Sequence, residues 1–261
     1  AGEARPREVV FTARSAERGA EALSALRAVA PHVQFDCLVL DLLDPASITA
    51  FLAALQAAGR PFHACVLNAG VLLPARLPSA AALQTTLGTN FHGTTALARG
   101  LLAAGLVTRR LLLVGSALGN PERVREEGFR AAFAEFEAGK GSFEALEELV
   151  ARHARDVLDS ARRGLWPASA YAVSKLFLRM WGMVAARHPP WRGVFVCTCC
   201  PGWCQTDLTA GTKAPRTAEE GARTYLALLE GEPDPAHNGG FYVESAWQSP
   251  AGAAGFGVWG L

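Results

Sequence analysis

Tyr171 and Lys175 stand four residues apart in the run Tyr171-Ala172-Val173-Ser174-Lys175. On a helix that spacing puts a phenol and an ammonium on one face. The ammonium favours the ionised phenol and lowers its pKa toward the working pH. A phenol tuned in this way can give a proton to a carbonyl oxygen while a hydride reaches the carbonyl carbon. The spacing alone is common, since a Tyr and a Lys on one face also describe an ordinary amphipathic helix. Three other positions add to it. Ser116 follows the apolar run 111–114, and Asn68-Ala69-Gly70 follows the run 64–67. Strands of an open parallel sheet end in a crevice at such points. Asn90 falls inside a helical stretch, where Asn is a poor helix former and invites a functional reason.

The elements that must hold these groups read as an alternation. β-branched and apolar runs at 9–12, 35–40, 64–67, 111–114, 194–198 and 241–243 are separated by helical patterns near 16–30, 45–58, 80–106, 169–187 and 217–229. This is the βαβ rhythm of a parallel sheet, and strands apolar on both faces are its buried members. Between 120 and 164 the texture turns charged, with Phe129, Phe133, Phe136, Phe143, Leu146 and Leu149 at helical spacings, which predicts two inserted surface helices. Residues 250–261 are Ala/Gly-rich and read as a loose tail, in which the string Gly252, Gly255, Gly257 neither follows a strand nor opens a helix. With no repeat and no linker, the expectation is a single α/β domain over 1–261, a doubly wound parallel sheet interrupted by the 120–164 excursion.

Composition removes several classes of function. The 261 residues are 50% apolar, and 25 Lys+Arg nearly balance 24 Asp+Glu. A nucleic-acid or anionic-membrane surface needs a concentrated positive field that this chain lacks. No apolar run reaches the roughly 20 residues of a membrane-spanning helix. The cysteines Cys37, Cys65, Cys197, Cys199, Cys200 and Cys204 lie mainly in apolar runs, as small packed hydrophobes of a reducing, cytoplasmic compartment rather than a disulfide framework. The last four lack a CxxC pair or a nearby His, so packing rather than zinc is expected and no metal site is assigned. The opening residues 1–8, with Pro6 and four charges, have no signal-peptide core.

Seven stretches in order resemble the short-chain dehydrogenase/reductase family, and within it the carbonyl reductases. They are 9–19 (VVFTARSAERG), 67–70 (LNAG), 89–93 (TNFHG), 114–116, 166–175 (WPASAYAVSK), 201–208 (PGWCQTDL) and 218–229 (AEEGARTYLALL). The resemblance implies a Rossmann-like fold and reduction of a small carbonyl substrate by NADPH. Carried over by position, it implies Tyr171 as general acid, Lys175 as its tuner and a ligand of the nicotinamide ribose, Ser116 as polariser of the substrate carbonyl, and Asn90 as anchor of a relay water. It implies a cofactor cleft lined by Asn68, Ala69 and Gly70, with Asp41 near the adenine and Pro201, Gly202 and Thr206 over the nicotinamide.

Where an acidic residue would accept from the ribose of NAD, this chain has Arg14 and then Arg18, which suit a 2'-phosphate and hence NADPH. Two ordinary exposed arginines are the alternative. Trp203 would wall the substrate site, favouring apolar or aromatic carbonyl compounds, unless it is a core residue. A steroid or prostaglandin dehydrogenase would share all these residues.

Ser116 and Tyr171 are 55 positions apart, long for the family but like its carbonyl-reductase branch. The inserted helices should cover the surface that pairs subunits in other members, so a monomer is expected. The resemblance begins at the family's second strand. Its first strand and TGxxxGxG turn, which hold the pyrophosphate, have no counterpart before Val9, as an incomplete record or a truncated chain without activity would both give.

Overall fold

The computed structural model describes residues 8–73, 79–243 and 246–248. The loose-tail reading of 250–261 and the reading of the first seven residues fall outside them.

Local signals set most element boundaries. Strand β1 (Glu8–Ala13) leads to helix α1 (Ala16–Val29), which starts where the Ser15 side chain accepts from the Arg18 amide. Strand β2 (Gln34–Val39) is followed by α2 (Pro45–Ala58), capped by Asp44 with Pro45 in its first turn. After β3 (Phe62–Leu67) comes α3 (Ala80–Leu87), then a π-helical turn over Gly88–Gly93, and then α4 (Thr94–Ala103). The single helix expected at 80–106 is therefore three segments, and its π turn widens the helix where Asn90 sits. Strand β4 (Val107–Val114) begins four residues before the apolar run suggests, because Thr108 and Arg109 face outward.

The predicted excursion is two helices, α5 (Phe129–Glu137) and α6 (Phe143–Asp156). The regular alternation resumes with α7 (Ala170–Ala185), β5 (Phe195–Cys200), α8 (Ala218–Glu230) and β6 (Phe241–Val243). A last strand, β7 (Ala246–Gln248), pairs antiparallel with β6 and was not anticipated, since three residues carry no periodicity to read.

The strands form two sheets rather than the single one expected. β1 pairs in parallel with β2, and a second sheet runs β3-β4-β5-β6-β7, parallel up to β6. Burial follows this division. β4 from Arg110 onward and all of β5 are buried, whereas β1 is half-buried along most of its length.

Helix α7 is the centre of the molecule, with thirteen of its sixteen residues buried, so both of its faces are covered. One side lies on β4 and β5 and the other under α5 and α6. The inserted helices are held by rings. Phe143 packs at 5.7 Å between centroids on both Trp181 and Trp191, and Trp166 meets His153, Phe129 and Phe177 edge to face. Each such pair contributes about 0.5–1.5 kcal/mol beyond its buried area. Burial lowers the His153 pKa to about 4, so at neutral pH it packs as an uncharged ring. Asp156 is also buried but satisfied, accepting from Trp166 Nε1 at 3.0 Å and Arg162 Nε at 2.5 Å.

Candidate active site

Ser169 caps α7, its side chain accepting from the Ala172 amide, so Tyr171 lies in the first turn and Lys175 one turn further along. Ser116 stands two residues beyond the end of β4, at the carboxyl edge of the sheet. Its Oγ accepts from the Leu118 amide at 3.2 Å, and Ser116 is near enough to the Tyr171 phenol to favour its ionised form. The loop after Ser116 reaches α7 through Gly119. A Cβ there would come within 2.7 Å of the Leu176 amide nitrogen and 2.9 Å of the Lys175 carbonyl carbon, so only glycine allows this approach.

Lys175 is 4% exposed and its Nζ donates to the Val114 carbonyl at 2.7 Å. Burial disfavours the ammonium and lowers its pKa to about 8. Nζ lies over the face of the Tyr171 ring, 5.5 Å from its centre. The expected lowering of the phenol pKa is not what this arrangement produces. Burial, with a smaller contribution from the neighbouring Cys200 thiol, pushes Tyr171 up to about 12, and the nearby Ser116 hydroxyl opposes only part of that. At neutral pH the phenol is fully protonated, which is the form a proton donor needs.

Asn90 has no exposed surface, and both protons of its side-chain amide are used. Oδ1 accepts from the Val71 amide at 2.8 Å, while Nδ2 donates to the Val71 carbonyl at 2.9 Å and to Ser174 Oγ at 3.1 Å. A relay water therefore finds no spare proton on this side chain. The same turn brings Gly70 against Lys175, since a Cβ on Gly70 would lie 3.2 Å from Asn90 Oδ1 and 3.4 Å from Lys175 Nζ.

Tyr171, Lys175, Ser116, Asn90 and Gly70 thus share one region. Asn68 and Ala69 are exposed beside it, and the Tyr225 hydroxyl of α8 donates to Asn68 Oδ1 at 3.2 Å. Pro201 and Gly202, with φ +87° at the glycine, begin the loop after β5. Trp203 is half-buried on that loop and is not part of the buried core. Thr206 is exposed and opens a short 3-10 turn, its amide donating to Thr209 Oγ1 at 3.0 Å. At the other sheet, Asp41 follows β2 and its carboxylate accepts from the Leu43 amide at 2.9 Å. Arg14 and Arg18, after β1, are exposed and have no ion-pair partner among the described residues.

Three neighbours carried no sequence signal. Cys200 was read only as packing, yet its Sγ accepts from the Ala117 amide at 3.3 Å and it is the nearest thiol influence on Tyr171 and Lys175. Ser174 and Tyr225 looked like ordinary helix positions.

Comparison with known proteins decides the family. The chain is 31% identical over 235 residues to carbonyl reductase (NADPH) 1 of Rattus norvegicus, covering 85% of this chain and 82% of that protein. It is 32% identical over 237 residues to carbonyl reductase (NADPH) 3 of Mus musculus, with the same coverage. The chain belongs to the carbonyl reductases of the short-chain dehydrogenase/reductase family. No family model matches it. The fold agrees with solved members. Salutaridine reductase from Papaver somniferum superposes with a TM-score of 0.75 at 23% identity over 90% of each chain. An NADPH-bound carbonyl reductase from chicken fatty liver superposes at 0.64 and 19% identity, over 92% of this chain and 86% of that one.

Proposed function

We propose that this carbonyl reductase uses NADPH to reduce ketones, aldehydes and quinones to alcohols, with Tyr171 as the proton donor. The observation that carries the reading is the protonated Tyr171 phenol beside Ser116 at the carboxyl end of β4, with the buried Lys175 ammonium over its ring.

The residues present fit the cofactor at both ends. Nζ of Lys175 has three protons and gives one to Val114 O, so two donors remain for ribose hydroxyls next to Gly70. Arg14 and Arg18 offer two guanidinium groups to a 2'-phosphate. Asp41, Asn68, Ala69, Pro201, Gly202 and Thr206 line the remaining length of the cleft in this reading. NADPH supplies the hydride when bound. Ser116 donates to the substrate carbonyl oxygen and polarises it, and Tyr171 delivers its proton to that oxygen as negative charge develops there. Lys175 holds a positive charge near the phenol oxygen as it loses its proton. In this reading Asn90 anchors the relay water. Trp203 presents an apolar wall, which favours aromatic carbonyl compounds.

The edges of β1 and β3 have no strand neighbour in the described residues. We read them as the two flanks of one further parallel strand, whose following turn would hold the pyrophosphate. None of the six cysteines forms a disulfide, which suits a cytoplasmic enzyme. Among the described residues no helix is long and apolar enough to cross a membrane.

Equilibrium titration tests the cofactor assignment. NADPH should bind at micromolar concentration and NADH more weakly. Arg14→Ala and Arg18→Ala should each weaken NADPH roughly tenfold and leave NADH nearly unchanged, because a charge-assisted bond to phosphate is lost. Equal losses for both nucleotides would remove the arginines from the 2'-phosphate. Because α5 and α6 cover α7, a monomer is the proposed state, and a stable dimer in sedimentation would overturn it.

A further inference from the structure

We infer that Ser174 is a positioning residue for the reaction, a latch that holds the Gly70–Val71 turn against the catalytic helix through Asn90. This rests on the function proposed above and names a residue that function did not use.

Ser174 is completely buried, immediately before Lys175 and one turn after Tyr171. Its hydroxyl donates to the Tyr171 carbonyl at 2.7 Å and accepts from Asn90 Nδ2 at 3.1 Å. Donating to a carbonyl polarises the hydroxyl and makes its oxygen a better acceptor, so the two bonds reinforce each other. Asn90 in turn grips both backbone polar groups of Val71. One amide has only one orientation that satisfies Val71 N, Val71 O and Ser174 Oγ together. The chain of bonds runs from the Tyr171 carbonyl through Ser174 and Asn90 to Val71, and joins α7, the π turn and the loop after β3.

Gly70 lies inside this loop, against Lys175 Nζ. The latch therefore fixes the separation between that turn and the ammonium. Without the serine hydroxyl, the second Nδ2 proton of Asn90 has no acceptor in a site closed to water, and the amide is free to rotate off Val71. The turn would then drift by a fraction of an ångström from the groups that do the chemistry, and rates depend steeply on such distances.

Ser174→Ala is the test, with Ser174→Cys, a weaker hydrogen-bonding isostere, beside it. Turnover number, NADPH dissociation constant, unfolding midpoint and hydrogen exchange of the Val71 amide are measured on each. For Ser174→Ala, kcat should fall roughly tenfold with NADPH affinity within about twofold of the parent. Exchange at Val71 should speed up roughly tenfold, and the unfolding midpoint should fall modestly, because Asn90 loses a buried acceptor and the better helix propensity of Ala offsets only part of that. The cysteine variant should fall between. A lower kcat with Val71 exchange unchanged would overturn the latch, as would unchanged kcat and exchange together. If the parent enzyme itself shows no turnover, the functional reading fails, while faster exchange at Val71 in the variant still supports the latch.

Discussion

Tyr171→Phe is expected to lower kcat by about 10²–10⁴-fold, the usual contribution of a positioned general acid. The ring stays, so packing against Lys175 and the rest of α7 is kept, and NADPH affinity should change little. What disappears is one oxygen, beside Ser116, whose proton is held firmly at neutral pH. With that pKa pushed up to about 12, the parent should show no loss of activity from phenol ionisation up to pH 10. Stopped-flow or steady-state rates of the variant and parent across pH decide it. A variant that keeps a tenth or more of the parent rate would assign proton donation to another group.

The second large effect concerns stability as well as rate. Lys175→Met should abolish turnover and yet make the folded chain more stable at neutral pH. The folded pKa of Lys175 is about 8, below its ordinary 10.5, because the charge is buried. Between those two values the unfolded chain holds a proton that the folded chain has released, so stability rises with pH across that window. Below pH 8 the folded state bears the whole cost of the buried charge, about 3 kcal/mol for a displacement of this size. Methionine fills nearly the same space without the charge. It forfeits the bond from the charged Nζ to Val114 O, worth about 2 kcal/mol, so a net gain of about 1 kcal/mol is expected. The gain should shrink as pH is raised from 8 to 10.5. Chemical denaturation at several pH values measures it, and a variant less stable than its parent at pH 7 would show that the ammonium is not penalised where it sits. In the proposed function, stability is given up at Lys175 to keep a cation beside the phenol and the cofactor ribose.

The sequence was most legible where local chemistry and periodicity agree. Strand β6 and helix α2 fall on their expected residues, and the insertion is the pair of helices its Phe spacing indicates. Tyr171, Lys175 and Ser116 were singled out because their residue types are informative in any setting, and they fall close together in the fold. Asn90 stood out as a helix-averse residue in a helix, but its partners depend on a π turn that no propensity scale announces. Ser174 was invisible because a serine before a lysine reads as surface until burial and a residue 84 positions away give it a role. The direction of the Tyr171 pKa also required coordinates. Spacing puts the ammonium on the right face, but only the structure shows it over the ring with burial dominating. The separation of β1–β2 from the larger sheet is a pairing outcome, and single-strand patterns do not encode pairing.

The most direct measurement is the oxidation of NADPH by the purified chain in the presence of a quinone or an aromatic ketone, with the alcohol product quantified. One alcohol formed for each NADPH consumed, dependent on both and lost in Tyr171→Phe, is the expected result. Folded protein that consumes no NADPH with any of these carbonyl compounds, or a Tyr171→Phe variant that turns over like its parent, would contradict a Tyr171-dependent carbonyl reductase.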